Sequence, residues 1–417
     1  MKLAEQQFRK LAGGLRRLNM KGEISMKERL YGYIDNIGEE MFKMADQIFD
    51  HPELGLEEVN ACKWLTDWLE KDGFEVERGI AGVETSFRAI YRHGEGGPNI
   101  GLLFEYDALP QIGHACGHHM QGPCILASAA ALRHSGIEGN YTITVYGTPA
   151  EESVSGKIMM IKGGCTFEEL DVALMMHGGN YTQTDVKSLA LSKFRVEYQG
   201  ISAHAALKPE AGRSALDAMI LAFQGIEFLR EHVDSDVKIH YTILNSGGTP
   251  ANIVPASTTA SLYVRSYSRT YLDTVIERLS KVLRGAAMMT ETEVRIMPEK
   301  EVDNKIPAIR LNRLIMDEAE RVGAPRLAPP RENTGSTDFG NILHRIPGSC
   351  IRVAFVPDGV PSHSQGFVDA GKTPEAHSAI IYGAKILSGT AAELIMNPEL
   401  LKEIKEEFKQ RVVEEKK

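Results

Sequence analysis

Residues 99–134 read NIGLLFEYDALPQIGHACGHHMQGPCILASAAALRH. An apolar run ends in Glu105-Tyr106-Asp107 and the turn-forming Pro110. A loop rich in His and Cys follows, and from Gly122 an alanine-rich helical stretch begins. Strand, chemistry-bearing loop and helix make one unit of a parallel sheet, with the reactive side chains beyond the carboxyl end of the strand. The unit recurs downstream. NYTITVYGTPAEE (140–152) leads into the helical SGKIMMIKGG (155–164), and LDVALMMHGG (170–179) supplies another apolar run. Upstream, residues 26–74 show apolar positions at three- and four-residue spacing, broken into two helices at Pro52 and Gly55. The pattern predicts an α/β fold, a largely parallel sheet with helices on both faces.

From Lys193 the pattern changes. KFRVEYQG (193–200) alternates as a strand, and GRSALDAMILAFQGIEFLREHV (212–233) is a long amphipathic helix. Two alternating strands, a second helix (270–290) and a strand in TEVRIMPEK (292–300) complete a split-βαβ pattern. The chain then returns to a helix (307–323), a strand in SCIRVAFV (349–356) and a long terminal helix. The expected organisation is an extension over 1–25, a discontinuous catalytic domain over 26–190 and 301–417, and an inserted α+β domain over 191–300.

The 417 residues carry 47 Lys+Arg against 56 Asp+Glu, a net charge of -9, so no overall cationic field favours nucleic acid or an anionic membrane surface. No run is read as approaching the roughly 18 apolar residues of a membrane span. The first thirty residues carry charges throughout and lack the apolar core of a secretory signal. Five scattered cysteines fit reduced thiols better than a disulfide framework. These features predict a cytoplasmic protein.

The chemistry concentrates in Gly113–His119, where three imidazoles and the Cys116 thiol lie within six positions. Thiolate and neutral imidazole are good ligands for zinc-like ions, and the Cys116-x-His118 spacing lets both reach one site from a turn. A chance His-rich loop is the bland alternative. Against it stand further ligand types at other strand ends: Asp107, Glu151-Glu152, His177 and, after the late strand, His363. Adjacent carboxylates are usually a solvated pair. Beside a Cys/His cluster they divide the labour, one binding metal while the other takes a proton from water.

The ordered motifs DALP, GHACGHHM, TPAEE, MMHGG, AHAALKPEAGRSALDA, NIVP, GSTDFG and SHS resemble the M20 metallopeptidase/amidohydrolase family, in its M20D branch, from about Met26 onward. The resemblance implies a di-metal hydrolase catalytic domain with an inserted dimerisation and lid domain. It implies Cys116, His118, Glu152, His177 and His363 as ligands of two divalent ions (Zn, Mn or Co), with Cys116 in the place of an acidic bridging ligand. Glu151 matches the general base, and Asp107 is taken as support behind the ligands. His204 matches a histidine that reaches the partner subunit's site to stabilise the oxyanion, and Asn252 and Arg265 match substrate-carboxylate positions. For Arg265 and Asn252, a surface charge and a satisfied turn are the bland alternatives. Two departures, His119 where Asp or Asn is commoner and SHSQG after the late histidine, bear on substrate preference.

The favoured activity is hydrolysis of the amide bond of a small N-acyl amino acid or dipeptide, including p-aminobenzoyl-glutamate-like conjugates. The expected partners are a small-molecule substrate and a second copy in a homodimer, with no nucleic acid and no membrane. Alternatives are a non-catalytic subunit of a heteromeric hydrolase, release of ammonia from a small aromatic amine, and a metal-free hydrolase with Cys116 as nucleophile.

Overall fold

A computed structural model describes residues 25–332 and 334–416; the extension expected over 1–25 therefore lies, apart from Ser25, outside the described residues. The chain opens with helices α1 (Met26–Asp50) and α2 (Val59–Lys71), and Ser25 starts the first with a capping box closed by Glu28. Strands β1 (Glu75–Arg78), β2 (Phe87–His93) and β3 (Asn99–Phe104) follow, then α3 (Gln121–His134), β4 (Tyr141–Gly147), α4 (Gly156–Lys162), β5 (Val172–Gly179) and β6 (Gln183–Thr184). Next come β7 (Ala190–Gln199), α5 (Ala215–Arg230), β8 (Lys238–Asn245), β9 (Ser257–Ser266), α6 (Arg269–Thr290) and β10 (Glu293–Val302). The last part holds α7 (Ile309–Arg321), α8 (Phe339–Leu343), β11 (Gly348–Ala354), α9 (Gln365–Ala370), α10 (Pro374–Met396) and α11 (Pro398–Glu415).

The larger sheet has the order β1-β2-β4-β3-β5-β11-β6. Its centre, β4-β3-β5-β11, is parallel, while β1, β2 and β6 join antiparallel. The sheet is thus mixed rather than largely parallel, because hydrophobic periodicity reports burial and not strand direction. One set of helices covers it through a core that includes Leu102, Leu174, Ile351 and Ile380. A second cluster, with Leu103, Met175 and Phe339, fills the opposite face. Residues 190–302 form a four-stranded antiparallel sheet, β10-β7-β9-β8, with α5 and α6 packed on it over a separate core.

Two expectations for the C-terminal region are corrected. The terminal helix is two helices, since Pro398 starts α11 directly after Asn397, whose side chain caps it at Leu400 N. Helix α10 does have the length and hydropathy of a membrane span, with 72% of that window buried. It packs on α3, α1 and α7, and a helix enclosed on several sides is apolar around most of its circumference.

The four parallel strands present their carboxyl ends on one side. Glu105 follows β3, the Thr148–Glu152 turn follows β4, His177 lies near the end of β5, and the loop to His363 follows β11. Loop length and direction thereby gather residues separated by more than 250 positions in the chain. Leu174→Ala, at a fully buried position of β5, should lower unfolding free energy by about 2–5 kcal/mol in a urea titration. Val413→Ala, at a position 56% exposed on α11, should stay within about 0.5 kcal/mol. Equal effects would contradict the packing.

Candidate metal centre and active site

The loop after β3 turns at Gly117, whose φ of 80° lies in the left-handed region. The turn places Cys116 and His118 side by side and buries both. Cys116 Sγ is 3.5 Å from His177 Nε2 on β5. His118 Nδ1 meets the carbonyl oxygen and the Oδ1 of Asp107 at 3.0 and 3.1 Å. The other Asp107 oxygen accepts the Glu152 backbone N–H at 2.9 Å, so one side chain braces two candidate ligands. On the far side, His363 Nε2 lies 3.0 Å from Glu152 Oε1. His363 sits at φ 61° and its N–H donates to Ala115 O at 3.0 Å, which ties the late loop to the Cys116 loop.

Within 4.8 Å of one another lie the donor atoms of Cys116, His118 and His177, and likewise those of Cys116, Glu152 and His363. Cys116 belongs to both sets. The donor chemistry fits borderline-soft divalent ions. Two further observations agree. His118 Nε2 is buried without a hydrogen-bond partner, lying 3.3 Å from Glu105 Oε2 without hydrogen-bond geometry. Cys116 and Glu152 also push the His363 imidazole up to about 10, so the thiol and carboxylate call for positive charge at that position. His177, by contrast, is pushed down to about 3 by burial, Arg352 and His118, the neutral form a ligand needs.

Glu151 lies beside the ligands, its carboxylate within 4.8 Å of the donor atoms of His118 and Glu152 and of those of Glu105 and Asp338. Its carboxyl is raised well above the usual range by burial and by the neighbouring Glu105, Asp338 and Glu152. Beneath it lies Lys157, the first-turn lysine of α4, with no exposed side-chain area. Lys157 Nζ donates to Glu105 Oε1 at 2.5 Å and to Asp338 Oδ1 at 2.7 Å, and its N–H donates to Asp338 Oδ2 at 3.0 Å. Burial alone would lower the Lys157 ammonium's pKa; Asp338, Glu105 and Glu151 outweigh burial and keep it charged. Ala150, at φ 59°, is held by the buried Glu58, which accepts its N–H at 2.7 Å. Burial pushes the Glu58 carboxyl up to about 7.

The structure brings together Cys116, His118, Glu151, Glu152, His177 and His363, with Asp107 behind them. The other two imidazoles of the loop turn away: His114 and His119 pack near Phe49, and His119 Nε2 bonds Gly371 O at 2.8 Å. Arg265 lines a cavity shared with Glu151 and Glu152, and its Nη1 donates to Ser336 Oγ at 2.9 Å. His204 and Asn252 lie elsewhere, exposed on neighbouring segments where Ala205 N donates to Asn252 O. Sequence reasoning assigns no role to Glu58, Glu105, Lys157 or Asp338. The one available signal is position, since Glu105 is two residues before Asp107 and Asp338 sits inside GSTDFG.

The profile of peptidase family M20/M25/M40 matches residues 101–391. One of the two subunits of p-aminobenzoyl-glutamate hydrolase from Escherichia coli is 30% identical over 92% of this chain and 95% of its own length. Human Xaa-Arg dipeptidase is 30% identical over 95% of both chains. Among solved structures, an aminobenzoyl-glutamate utilization protein from Klebsiella pneumoniae superposes with a TM-score of 0.69 at 20% identity, over 88% of this chain and 98% of that one. A dinuclear metal-binding M20 peptidase from Bacillus subtilis superposes with a TM-score of 0.68 at 20% identity, over 87% and 99%. These two likenesses concern the fold.

Removing the buried cation leaves Glu105 and Asp338 without their counter-charge. Lys157→Met should therefore destabilise the protein by about 3–5 kcal/mol in chemical denaturation. Adding Asp338→Asn should recover part of that loss, a coupling that a double-mutant cycle measures. Additive losses would contradict the ion set.

Proposed function

The chain belongs to peptidase family M20/M25/M40, and we propose that it is a metal-dependent amidohydrolase cleaving the amide bond of a small N-acyl amino acid or dipeptide. The observation that carries this reading is the different surroundings of two adjacent carboxylates. Glu152 is engaged by His363 and shares a donor group with Cys116 and His363, a group that does not include Glu151. Glu151 is held by no hydrogen bond among the described residues and faces the same cavity as Cys116, His177 and His363.

Cys116, His118, Glu152, His177 and His363 would hold two divalent cations, zinc, manganese or cobalt. Such ions supply Lewis-acid charge to a scissile carbonyl and acidify water. Glu151 takes a proton from the attacking water and passes it to the departing amine nitrogen, so that the C–N bond breaks to a carboxylic acid and an amine. Asp107 keeps His118 and Glu152 in place throughout. Arg265, in the adjoining cavity, grips a substrate carboxylate, and Asn252, which neighbours the His204 segment and lines neither cavity, would join it from a second copy of this chain. All five cysteines are free, which fits a reducing, cytoplasmic setting.

His204 completes the site from a second copy of this chain. Within its own chain it lines neither cavity that contains Glu151. The inserted domain has surface for such pairing: β8 is an edge strand carrying exposed Ile243 and Leu244, and α5 exposes Leu221 and Phe228. Together they fit a two-fold homodimer with a self-complementary interface.

Glu151→Gln should lower amide hydrolysis by about 10²–10⁴-fold with metal content unchanged by elemental analysis. Chelation should abolish wild-type activity, and Zn²⁺, Mn²⁺ or Co²⁺ should restore it; activity that survives chelation would favour Cys116 as a nucleophile instead. A mixing experiment tests the partner's contribution. His204→Ala and Glu151→Ala proteins should each be nearly inactive, and co-refolding them in equal amounts should recover about a quarter of wild-type activity, since half the dimers carry one complete site. No recovery, with mixed dimers shown by mass, would refute the trans arrangement.

A further inference from the structure

Residues 51–58, HPELGLEE, join α1 to α2 and carry Glu53 and Glu58, two acids with different duties. Glu53 caps α2: its Oε1 accepts the Asn60 N–H at 3.0 Å and its Oε2 the Ala61 N–H at 2.9 Å. Glu58 occupies the N-cap position of the same helix but its side chain makes no capping bond. That side chain is fully buried and turns inward, where Oε1 accepts the Ala150 N–H at 2.7 Å and Oε2 the Thr85 hydroxyl at 3.0 Å. Burying a carboxyl group is costly, and α2 is capped without it, so helix formation does not account for Glu58.

The partner of Glu58 is a strained point. Ala150 is fully buried at φ 59°, a left-handed conformation that a side chain disfavours. The same segment closes on this turn from a second side, since a Cβ on Gly55 would stand 3.0 Å from both Cα and Cβ of Ala150. Glu53 O also accepts the Ala108 N–H at 2.8 Å, so residues 53–58 touch the loop that carries Asp107. Asp107 in turn accepts the Glu152 N–H. The N–H groups on either side of Glu151 are therefore held by two buried carboxyl groups, Glu58 at residue 150 and Asp107 at residue 152. The Glu151 carboxylate itself has no hydrogen bond among the described residues, so its backbone sets its direction.

We propose that Glu58 is a positioning residue for amide hydrolysis: with Asp107 it clamps the turn around Glu151 and aims that carboxylate into the cavity lined by Cys116, His177 and His363. The inference rests on the amidohydrolase reading, which gives Glu151 a proton to move. Neither hydrogen bond of Glu58 goes to a candidate ligand, and it acts by length and shape. An acceptor has to reach the Ala150 N–H; without one, the turn relaxes toward an ordinary conformation. A base displaced in this way leaves substrate binding intact and slows proton transfer, so the loss falls on kcat.

The test compares Glu58→Asp, which keeps the charge but falls one methylene short of Ala150, with Glu58→Gln, which keeps the length and an acceptor oxygen. With metal-loaded protein and p-aminobenzoyl-glutamate as the probe, Glu58→Asp should lower kcat by about 10–100-fold, with KM within about threefold and metal content unchanged. Glu58→Gln should recover kcat to within about threefold of the unsubstituted protein. Adding Ala150→Gly to Glu58→Asp should return at least about fivefold, since glycine adopts the left-handed turn unaided. Hydrogen exchange read by mass spectrometry needs no turnover: amides of residues 148–153 should exchange at least about tenfold faster in Glu58→Asp than in Glu58→Gln. If Glu58→Asp does not fold, Gly55→Ala crowds the same turn with Glu58 in place and should lower kcat by about tenfold at unchanged KM. The positioning role is overturned by equal losses in Glu58→Asp and Glu58→Gln, by a loss confined to KM, or by equal exchange. Full activity in Glu58→Asp or Gly55→Ala, or no recovery with Ala150→Gly, overturns it as well. Failure of the amidohydrolase reading looks different: the unsubstituted, metal-loaded protein cleaves none of the probe while the exchange difference stands.

Discussion

One ammonium group, Lys157 Nζ, lies at the floor of a space into which two parallel strands and the Asp338 segment deliver carboxylates. Glu105 and Asp338 are bonded to it directly, and Glu151 lies close enough to share its field. Without that charge, Glu105, Asp338 and Glu151 would face one another within 4.8 Å with no buried counter-charge between them. The pairing links residues 52 and 181 positions apart, so it joins the early part of the sheet to the part of the chain that follows β10. The candidate ligands sit directly above this anchored floor. Glu105 touches both the lysine and the neighbourhood of His118, and the α4 turn that carries Lys157 follows Glu151 and Glu152.

The candidate ligand set is legible because each member is a ligand-type side chain at or beyond a strand end. Cys116, His118, Glu152, His177 and His363 all stand just beyond an apolar run or near its last residues, and strand direction then does the gathering. What is not legible depends on contacts distant in sequence. Lys157 in SGKIMMIKGG reads as an ordinary helical cation, and nothing local distinguishes it from Lys162. His114 and His119 have the same chemistry as His118 and the same loop, yet the left-handed turn at Gly117 and the Phe49 ring send them elsewhere. The antiparallel edges of the large sheet escape for a related reason: alternation and burial do not encode which way a neighbouring strand runs.

The charge pattern around the site has a second layer. Asp185 lies just beyond β6, and its partners come from after β10, from near residue 331 and from β11. These segments are far apart in the chain, and each arginine alone would read as a surface charge. Only the fold brings the three cations to one carboxylate. The candidate metal centre and these cations share β11 and β5 as a common frame, with Arg352 opposite His177 in the strand register.

The account stands on Cys116 being a thiolate ligand in a metal centre rather than a buried inert thiol. The most direct measurement is a cobalt titration of the metal-stripped protein, followed in the near ultraviolet where thiolate-to-cobalt charge transfer absorbs. The account predicts a charge-transfer band that saturates near two equivalents of Co²⁺ per chain and disappears in Cys116→Ser. Cobalt uptake without that band, or a band unchanged by Cys116→Ser, would contradict it.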